Sequence, residues 1–370
     1  MIAVPNPIRT WAEIDLEAIR HNVRVVRERI GPDAAILAVV KADAYGHGVG
    51  QVVRALTDEV EIFGVANLEE ARGVASAGTG RDIMILSPSL PAERRAAVDE
   101  GFLVTVSSAS EAAEFAGCGP VRINFKIDTG MGRVGCAADS APAELREILA
   151  LANVQIHSVS THLPSADEDV EFTKNQLAGF AELMERVREI VPGVRTHSLN
   201  SAGILTRASD AGGIVRPGLM LYGCSPIPSM QKNLRPALVW KTRVSQIRSV
   251  PAGCGIGYGR TFITPGPMRV AVLAAGYADG YPRQVSGRNA AVLIHGNRCA
   301  LLGRVTMDQI VVDVSEVPDV QVGDTAVLLG EGGCEDIPVG ELAQLAGTIP
   351  WDIFTGIGQR VRRFHSGVNC

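Results

Sequence analysis

Aromatic side chains are scarce in this chain: Phe, Trp and Tyr make up 5% of its 370 residues. A core with so few rings must be filled by aliphatic side chains, which suits parallel strands covered by helices. Clustered positive charge is also missing. The net charge is −5, and no basic run or aromatic-basic stripe occurs, which excludes nucleic acid as the expected partner. No apolar run approaches the roughly 20 residues that cross a bilayer, so no membrane partner is expected. The first residues, Met1-Ile-Ala-Val-Pro-Asn-Pro, lack the basic-then-apolar order of a signal peptide. The seven cysteines are scattered and contain no CxxC pair. This argues for reduced thiols in the cytoplasm and against a zinc site, any other metal centre or a disulfide framework. Internal repeats and low-complexity segments are absent.

What is present is a regular beat. Arg9 to Ile14 alternates as a first strand, and Asp15 caps a helix whose apolar face is Leu16, Ile19, Val23, Val26 and Ile30. Apolar runs then recur at 35–40, 62–66, 82–86, 103–106, 121–127, 155–161, 196–199 and 213–216. Helical patterns fill most gaps, at 68–76, 91–100, 143–151 and 170–190. Eight strands alternating with helices predict a (β/α)8 TIM-type barrel. The rival is a doubly wound open sheet, but no GxGxxG follows the first strand of the series. After about Leu238 the segments become short and β-branched, at 239–250, 268–276, 290–295, 299–314 and 325–330. No long helical pattern follows until 339–347. This predicts an α/β chain with a barrel over 9–237 and a mainly β C-terminal domain over 238–370. The strand near 9–14 lies outside the count of eight and could join the second domain.

Chemistry concentrates at the ends of these strands. Leu37-Ala-Val-Val-Lys-Ala-Asp-Ala-Tyr-Gly-His-Gly48 starts as a buried strand and ends in a glycine-rich turn. Lys41 stands where the strand gives out, on the face where such barrels carry their catalytic groups. It is either a solvated strand-end lysine or an amine of lowered pKa that can attack a carbonyl and form a Schiff base. Tyr45 follows, with Gly46 and Gly48 permitting close approach of backbone to a ligand. In Asn124-Phe-Lys-Ile-Asp-Thr-Gly-Met-Gly-Arg-Val-Gly135, Lys126, Asp128 and Arg133 are either a polar loop or an anion site in which Arg133 grips an oxygen anion. His162, in Ser160-Thr-His-Leu-Pro, is a core histidine or a site residue. The loops after the seventh and eighth strands carry His197-Ser-Leu-Asn-Ser-Ala202 and Val215-Arg-Pro-Gly-Leu-Met-Leu-Tyr222. Barrel enzymes commonly bind phosphate there. The Ser201 hydroxyl and the backbone N–H groups of Ser201, Gly218 and Leu219 are suitable donors. Asn200-Ser201 can also be an ordinary helix cap.

Together these segments resemble the alanine racemase family. So do Ala275-Gly-Tyr-Ala-Asp-Gly-Tyr-Pro282, Gly255-Ile-Gly-Tyr-Gly-Arg-Thr-Phe262 and Arg304-Val-Thr-Met-Asp-Gln309, in the order the family shows them. The resemblance runs from about Arg9 to Arg363. It implies pyridoxal 5'-phosphate held by Lys41, with Tyr45, Arg133, His162, Asn200, Ser201, Arg216, Gly218 and Leu219 around it. Arg133, Met307 and Asp308 would approach the substrate. Arg216 would face the pyridine nitrogen and, as a group that does not readily release its proton, keep that nitrogen unprotonated. Lys126 would be carbamylated, which turns its repulsion of Arg133 into attraction. Lys41 and Tyr277 would be the two catalytic bases that interconvert L- and D-alanine, supplying D-alanine for the cell wall. Tyr277 would come from the other subunit of a homodimer. Ile357-Gly-Gln-Arg-Val-Arg-Arg363 departs from the family, with Gln359 where some members carry a second phosphate-contacting tyrosine. Other readings remain: a serine or broad-specificity racemase, a decarboxylase on the related scaffold, or a non-catalytic cofactor carrier. A decarboxylase would carry a catalytic cysteine context in place of Gly-Tyr-Ala-Asp-Gly, and a carrier would need no β domain.

Overall fold

The apolar run at 35–40 folds as the strand Ala35–Val39, buried at four of its five positions. It is the first strand of a barrel in a computed structural model that describes residues 8–367. The others are Ile62–Val65, Asp82–Ile85, Leu103–Val106, Val121–Asp128, Val154–Ser160, Arg195–His197 and Ile214–Val215. The first seven pair in parallel, each with its predecessor, and the eighth pairs in parallel with the first. Between seventh and eighth, the Gly213 N–H donates to Thr196 O at 3.1 Å and the Arg216 N–H to Leu199 O at 2.9 Å, which closes the ring. The short strands read as unbroken apolar runs because both of their faces are covered.

The helices follow the predicted rhythm. The longest, Val170–Ile190, buries Leu177, Phe180, Leu183, Met184 and Val187, a 3-4 spaced stripe, and Asp169 caps it by accepting from the Phe172 N–H. Asn67 and Ser108 cap Leu68–Ala75 and Ala109–Ala116 in the same way. The helices Ala109–Ala116 and Val49–Leu56 fill two gaps in which no pattern was singled out; in the former the alanines blur the apolar stripe, although Ala109, Ala112 and Phe115 are all buried. Helix Pro350–Gly356 was not expected.

Ala18–Ala44 and Val49–Arg235 make up one compact unit. The described residues through Glu17, Tyr45–Gly48 and those from Pro236 onward make up the second. In the second unit six antiparallel strands close on themselves: Leu238–Val250, Met268–Leu273, Ile310–Asp313, Asn297–Leu302, Ala291–Ile294 and Thr325–Glu331, the last pairing back to the first. Thr10–Asp15 lies between Leu238–Val250, to which it is antiparallel, and Arg362–Ser366, to which it is parallel. Trp240 anchors this core. Its Nε1–H donates to Thr10 Oγ1 at 2.9 Å, and its ring meets Tyr281 edge-on at 6.0 Å. The segment expected at 299–314 is two strands, because Gly303 breaks it at φ +70°; a Cβ there would stand 2.6 Å from Ile256 O.

Candidate active site

At the end of the first barrel strand the chain turns the wrong way. Lys41–Gly46 is a helical turn in which Ala42, Asp43, Ala44 and Tyr45 have φ of +51°, +54°, +53° and +52°. Left-handed backbone costs an L-residue about 1–2 kcal/mol, so four in a row require compensation. The Ala44 N–H closes the turn onto Val40 O at 2.9 Å. Glu70 accepts the N–H groups of Ala42 and Ala66, both at 2.8 Å, and Asp43 accepts that of Val49 at 2.7 Å. Hydrogen bonds to a charged acceptor contribute about 1.5–3 kcal/mol each, enough to offset most of the strain. Strain held in this way is typical of functional positions. The glycines next to it do a different job from the one expected. A Cβ on Gly46 would lie 2.4 Å from Phe354 O, and one on Gly48 would lie 2.8 Å from His365 Nε2. Both glycines let protein approach protein.

Lys41 remains reachable by solvent, yet enough protein surrounds its amine for desolvation to lower its pKa. Arg133 lowers it further and Glu70 opposes them. Tyr45 is buried, and burial pushes its phenol up to about 12 despite a hydrogen bond from Trp351.

Around the barrel mouth stand more cations. Arg216, 6% exposed, donates from Nη1 to His197 Nδ1 at 2.7 Å and from Nη2 to Thr161 O at 2.8 Å, Ser198 O at 3.1 Å and His162 Nδ1 at 3.2 Å. Burial brings its pKa down to about 10. Lys126 is held well below its usual range by desolvation, then by Arg216 and Arg133. His162 is driven down to about 2 by burial, then by Arg216, Lys126, Arg133 and Lys41. These shifts agree on one point: four cationic side chains converge, and the acids near them are few. One of those acids, Asp128, is spent on backbone. It accepts N–H groups of Gly130, Met131 and Arg133 at 2.8–3.0 Å, which shapes the loop presenting Arg133.

After the seventh strand, Asn200 caps Ser201–Arg207 by accepting the Gly203 N–H at 3.0 Å, and its amide donates to Leu163 O. The buried Ser201 hydroxyl accepts the N–H of Gly218 at 2.9 Å and of Met220 at 3.3 Å, while Leu219 opens the turn that follows. With both lone pairs engaged, its own proton is free to donate outward.

The second unit brings together Tyr277, Met307 and Asp308. The Tyr277 N–H donates to Thr306 O and the Ala278 N–H to Met307 O, both at 3.0 Å. Gly276 makes this contact possible, since a Cβ there would meet Thr306 O at 2.3 Å. Asp279 accepts the Gly276 N–H at 2.9 Å, and Arg360 bridges Asp279 and Asp308 at 3.3 and 2.8 Å. Tyr277 and Met307 are 42% and 52% exposed on this fixed turn.

Two family models match the chain: the N-terminal domain of alanine racemase over residues 14–226 and its C-terminal domain over residues 237–365. The chain belongs to the alanine racemase family. The alanine racemase of Methylacidiphilum infernorum is 40% identical over 362 residues, 96% of this chain and 92% of that one. That of Symbiobacterium thermophilum is 40% identical over 97% of both chains. Among solved structures, alanine racemase from Streptomyces lavendulae superposes with a TM-score of 0.90 at 35% identity, covering 99% of each chain. The Bacillus anthracis alanine racemase with bound L-Ala-P does so with 0.89 at 32%, covering 98% of this chain and 96% of that one.

In this alanine racemase family member three residues have roles in the geometry that motif reading did not assign. Glu70 was legible as the fourth residue of a capping pattern, Asn67-Leu-Glu-Glu70. Asp128 stood in a quoted motif, but its partners are backbone, which no side-chain pattern reveals. His197 was quoted within its loop, and only the fold brings it against Arg216.

Proposed function

We propose that this chain interconverts L- and D-alanine with pyridoxal 5'-phosphate as cofactor, in a homodimer whose sites are shared. One observation carries the reading. Lys41, Lys126, Arg133 and Arg216 crowd one barrel mouth, and the pKa values of three of them are pushed down. Such a cluster is completed by a ligand with several negative oxygens. The residues present suit that cofactor. The Ser201 proton and the Leu219 N–H suit its phosphate, with Asn200 fixing the loop; the Gly218 N–H, expected to join them, is instead spent on Ser201 Oγ, and Tyr45 is kept as a cofactor contact on the family resemblance. Arg133 suits its phenolate, and Arg216, oriented by four acceptors, suits its ring nitrogen. When bound, the cofactor withdraws electrons from the substrate's α-carbon and makes the α-proton acidic.

The side chains supply the rest. Lys41, whose pKa is lowered by desolvation and by Arg133, holds the cofactor and, once displaced, carries a proton to or from Cα. The partner subunit's Tyr277 serves the opposite face, and its exposure in the single chain supports that assignment. His162 and Arg216 would favour its phenolate. Met307 and Asp308, fixed beside the Tyr277 turn, would border the substrate. Lys126 would react with carbon dioxide, its Nζ bonding the carbon and releasing a proton. The resulting carbamate would face Arg133. Ser160, its neighbour in register, has a buried hydroxyl without a partner that could donate to this anion.

The test is to follow loss of optical activity in L-alanine, and separately α-proton exchange with deuterated water for each isomer. Tyr277→Phe should lower exchange of L-alanine by about 100-fold or more while D-alanine exchange persists through Lys41. Equal loss for both isomers would refute the division of labour. A wild-type protein that racemises serine faster than alanine would refute the substrate.

A further inference from the structure

The barrel interior contains a belt of polar side chains where such barrels are normally packed with branched aliphatics. Thr105, Asn124 and Ser158 are register neighbours on the fourth, fifth and sixth strands, and His197 lies on the seventh. All four are at most 2% exposed. They are joined by hydrogen bonds: His197 Nε2 to Ser158 Oγ at 3.1 Å, Ser158 Oγ to Asn124 Oδ1 at 3.2 Å, Asn124 Nδ2 to Thr105 Oγ1 at 3.1 Å and Thr105 Oγ1 to Ile85 O at 2.8 Å. A branch joins Ser158 Oγ to His157 Nδ1 at 3.2 Å, and His157 Nε2 meets Arg195 Nη2.

The ends of this network determine every proton in it. Guanidinium groups only donate, and a carbonyl oxygen only accepts. Arg216 donates to His197 Nδ1, so Nδ1 is bare and the ring proton is on Nε2. Arg195 donates to His157 Nε2, so that ring carries its proton on Nδ1. Both histidines then donate to Ser158, filling its two lone pairs. Its single proton must go to Asn124 Oδ1, the Asn124 amide to Thr105, and the Thr105 proton to Ile85 O. No group is left with two donors facing or two acceptors facing. A cationic imidazole at either position would set N–H against N–H.

We infer that Ser158 and Asn124 are positioning residues for Arg216: they hold His197 as the neutral Nε2–H tautomer, whose fixed lone pair orients the guanidinium. The functional part rests on the reading above, in which Arg216 faces the cofactor ring. Without Ser158, His197 is free to carry its proton on Nδ1, against Arg216, and the guanidinium loses its shortest contact. Burial and the nearby Arg216, Lys126 and Arg195 already disfavour a charged His197, and burial with Arg195 and Arg122 does the same for His157, with only Asp82 opposing.

The test is histidine-selective 15N NMR of the holoenzyme between pH 6 and 8. Of the seven histidines, His197 should be neutral and protonated at Nε2, and His157 neutral and protonated at Nδ1, the latter assigned by its disappearance in His157→Gln. Ser158→Ala should mix the His197 tautomers and lower kcat for alanine racemisation by about tenfold, with KM changing less than about twofold. Ser158→Thr, which keeps the hydroxyl, should restore both. A wild-type His197 that is cationic or protonated at Nδ1 overturns the inference without any variant. So does a Ser158→Ala enzyme with unchanged tautomer and kcat. Wild-type protein showing these tautomers but no racemisation would leave the relay standing and remove the activity.

Discussion

Lys126 illustrates how a single side chain can be incompatible with its own charge. Desolvation, Arg216 and Arg133 all disfavour its ammonium, and only Asp128, already committed to loop backbone, opposes them. A neutral amine relieves the repulsion, while a carbamate reverses it. With 13C-labelled bicarbonate, wild-type protein should give a carbamate carbon resonance that Lys126→Gln lacks. Absence of the signal from the wild type at saturating bicarbonate would leave the neutral amine as the answer. The sequence singled out this residue as a charge in an apolar-glycine stretch, but its carbamylation only through family resemblance. Nothing in a single lysine between Phe125 and Ile127 tells which cations will surround it, because those cations come from strands and loops far away in the chain.

At the scale of elements, the left-handed turn after the first barrel strand was illegible. Ala42, Ala44 and Tyr45 have no preference for such backbone, and only Asp43 tolerates it readily; the conformation is imposed by Glu70 and by Val49, each outside the motif. The strands, in contrast, were readable to within a few residues, because burial on both faces leaves an unbroken apolar run, and Val170–Ile190 was readable because its stripe is regular. The polar belt left a faint trace, with Thr105 alone in its apolar run but Asn124 and Ser158 among other polar residues in theirs, and their pairing needed the register. Ala42→Gly tests the strain. Ala42 is exposed, so the change removes about 1–2 kcal/mol of left-handed cost and adds about 0.5–1 kcal/mol of unfolded-chain entropy. Denaturant unfolding should therefore show a net gain of up to about 1.5 kcal/mol, and a loss would place the strain elsewhere. The barrel's histidines also predict an acid response. His157 at about 4, His162 at about 2 and His197 well below its usual value stay neutral in the fold, whereas in the unfolded chain they titrate near 6.5. The unfolded state then binds more protons, and stability falls as pH drops below 6.5. Each histidine contributes up to about 1.4 kcal/mol per pH unit, until the fold itself begins to protonate His157 near 4. Urea midpoints at pH 7, 6 and 5 should decline accordingly, and His157→Gln should flatten the decline by about a third. A flat profile would show that these rings titrate in the fold as they do in the unfolded chain.

At the scale of the whole molecule, the question is whether one chain can make a site alone. Lys41 belongs to the barrel unit, whereas Tyr277 stands 42% exposed on the other unit. The proposed shared dimer makes a quantitative prediction from symmetry alone. Lys41→Ala and Tyr277→Phe homodimers each lack one base at both sites. Random exchange of equal amounts yields about half mixed dimers, and each mixed dimer pairs one intact Lys41 with one intact Tyr277 across its interface. The mixture should recover about a quarter of wild-type racemisation, rising with the time allowed for subunit exchange. If Lys41 and Tyr277 of the same chain worked together, every site in every mixed dimer would lack one of them, and exchange would recover nothing. Recovery near a quarter, absent when the two variants are cross-linked as homodimers before mixing, therefore separates a site shared between subunits from one completed within a single chain.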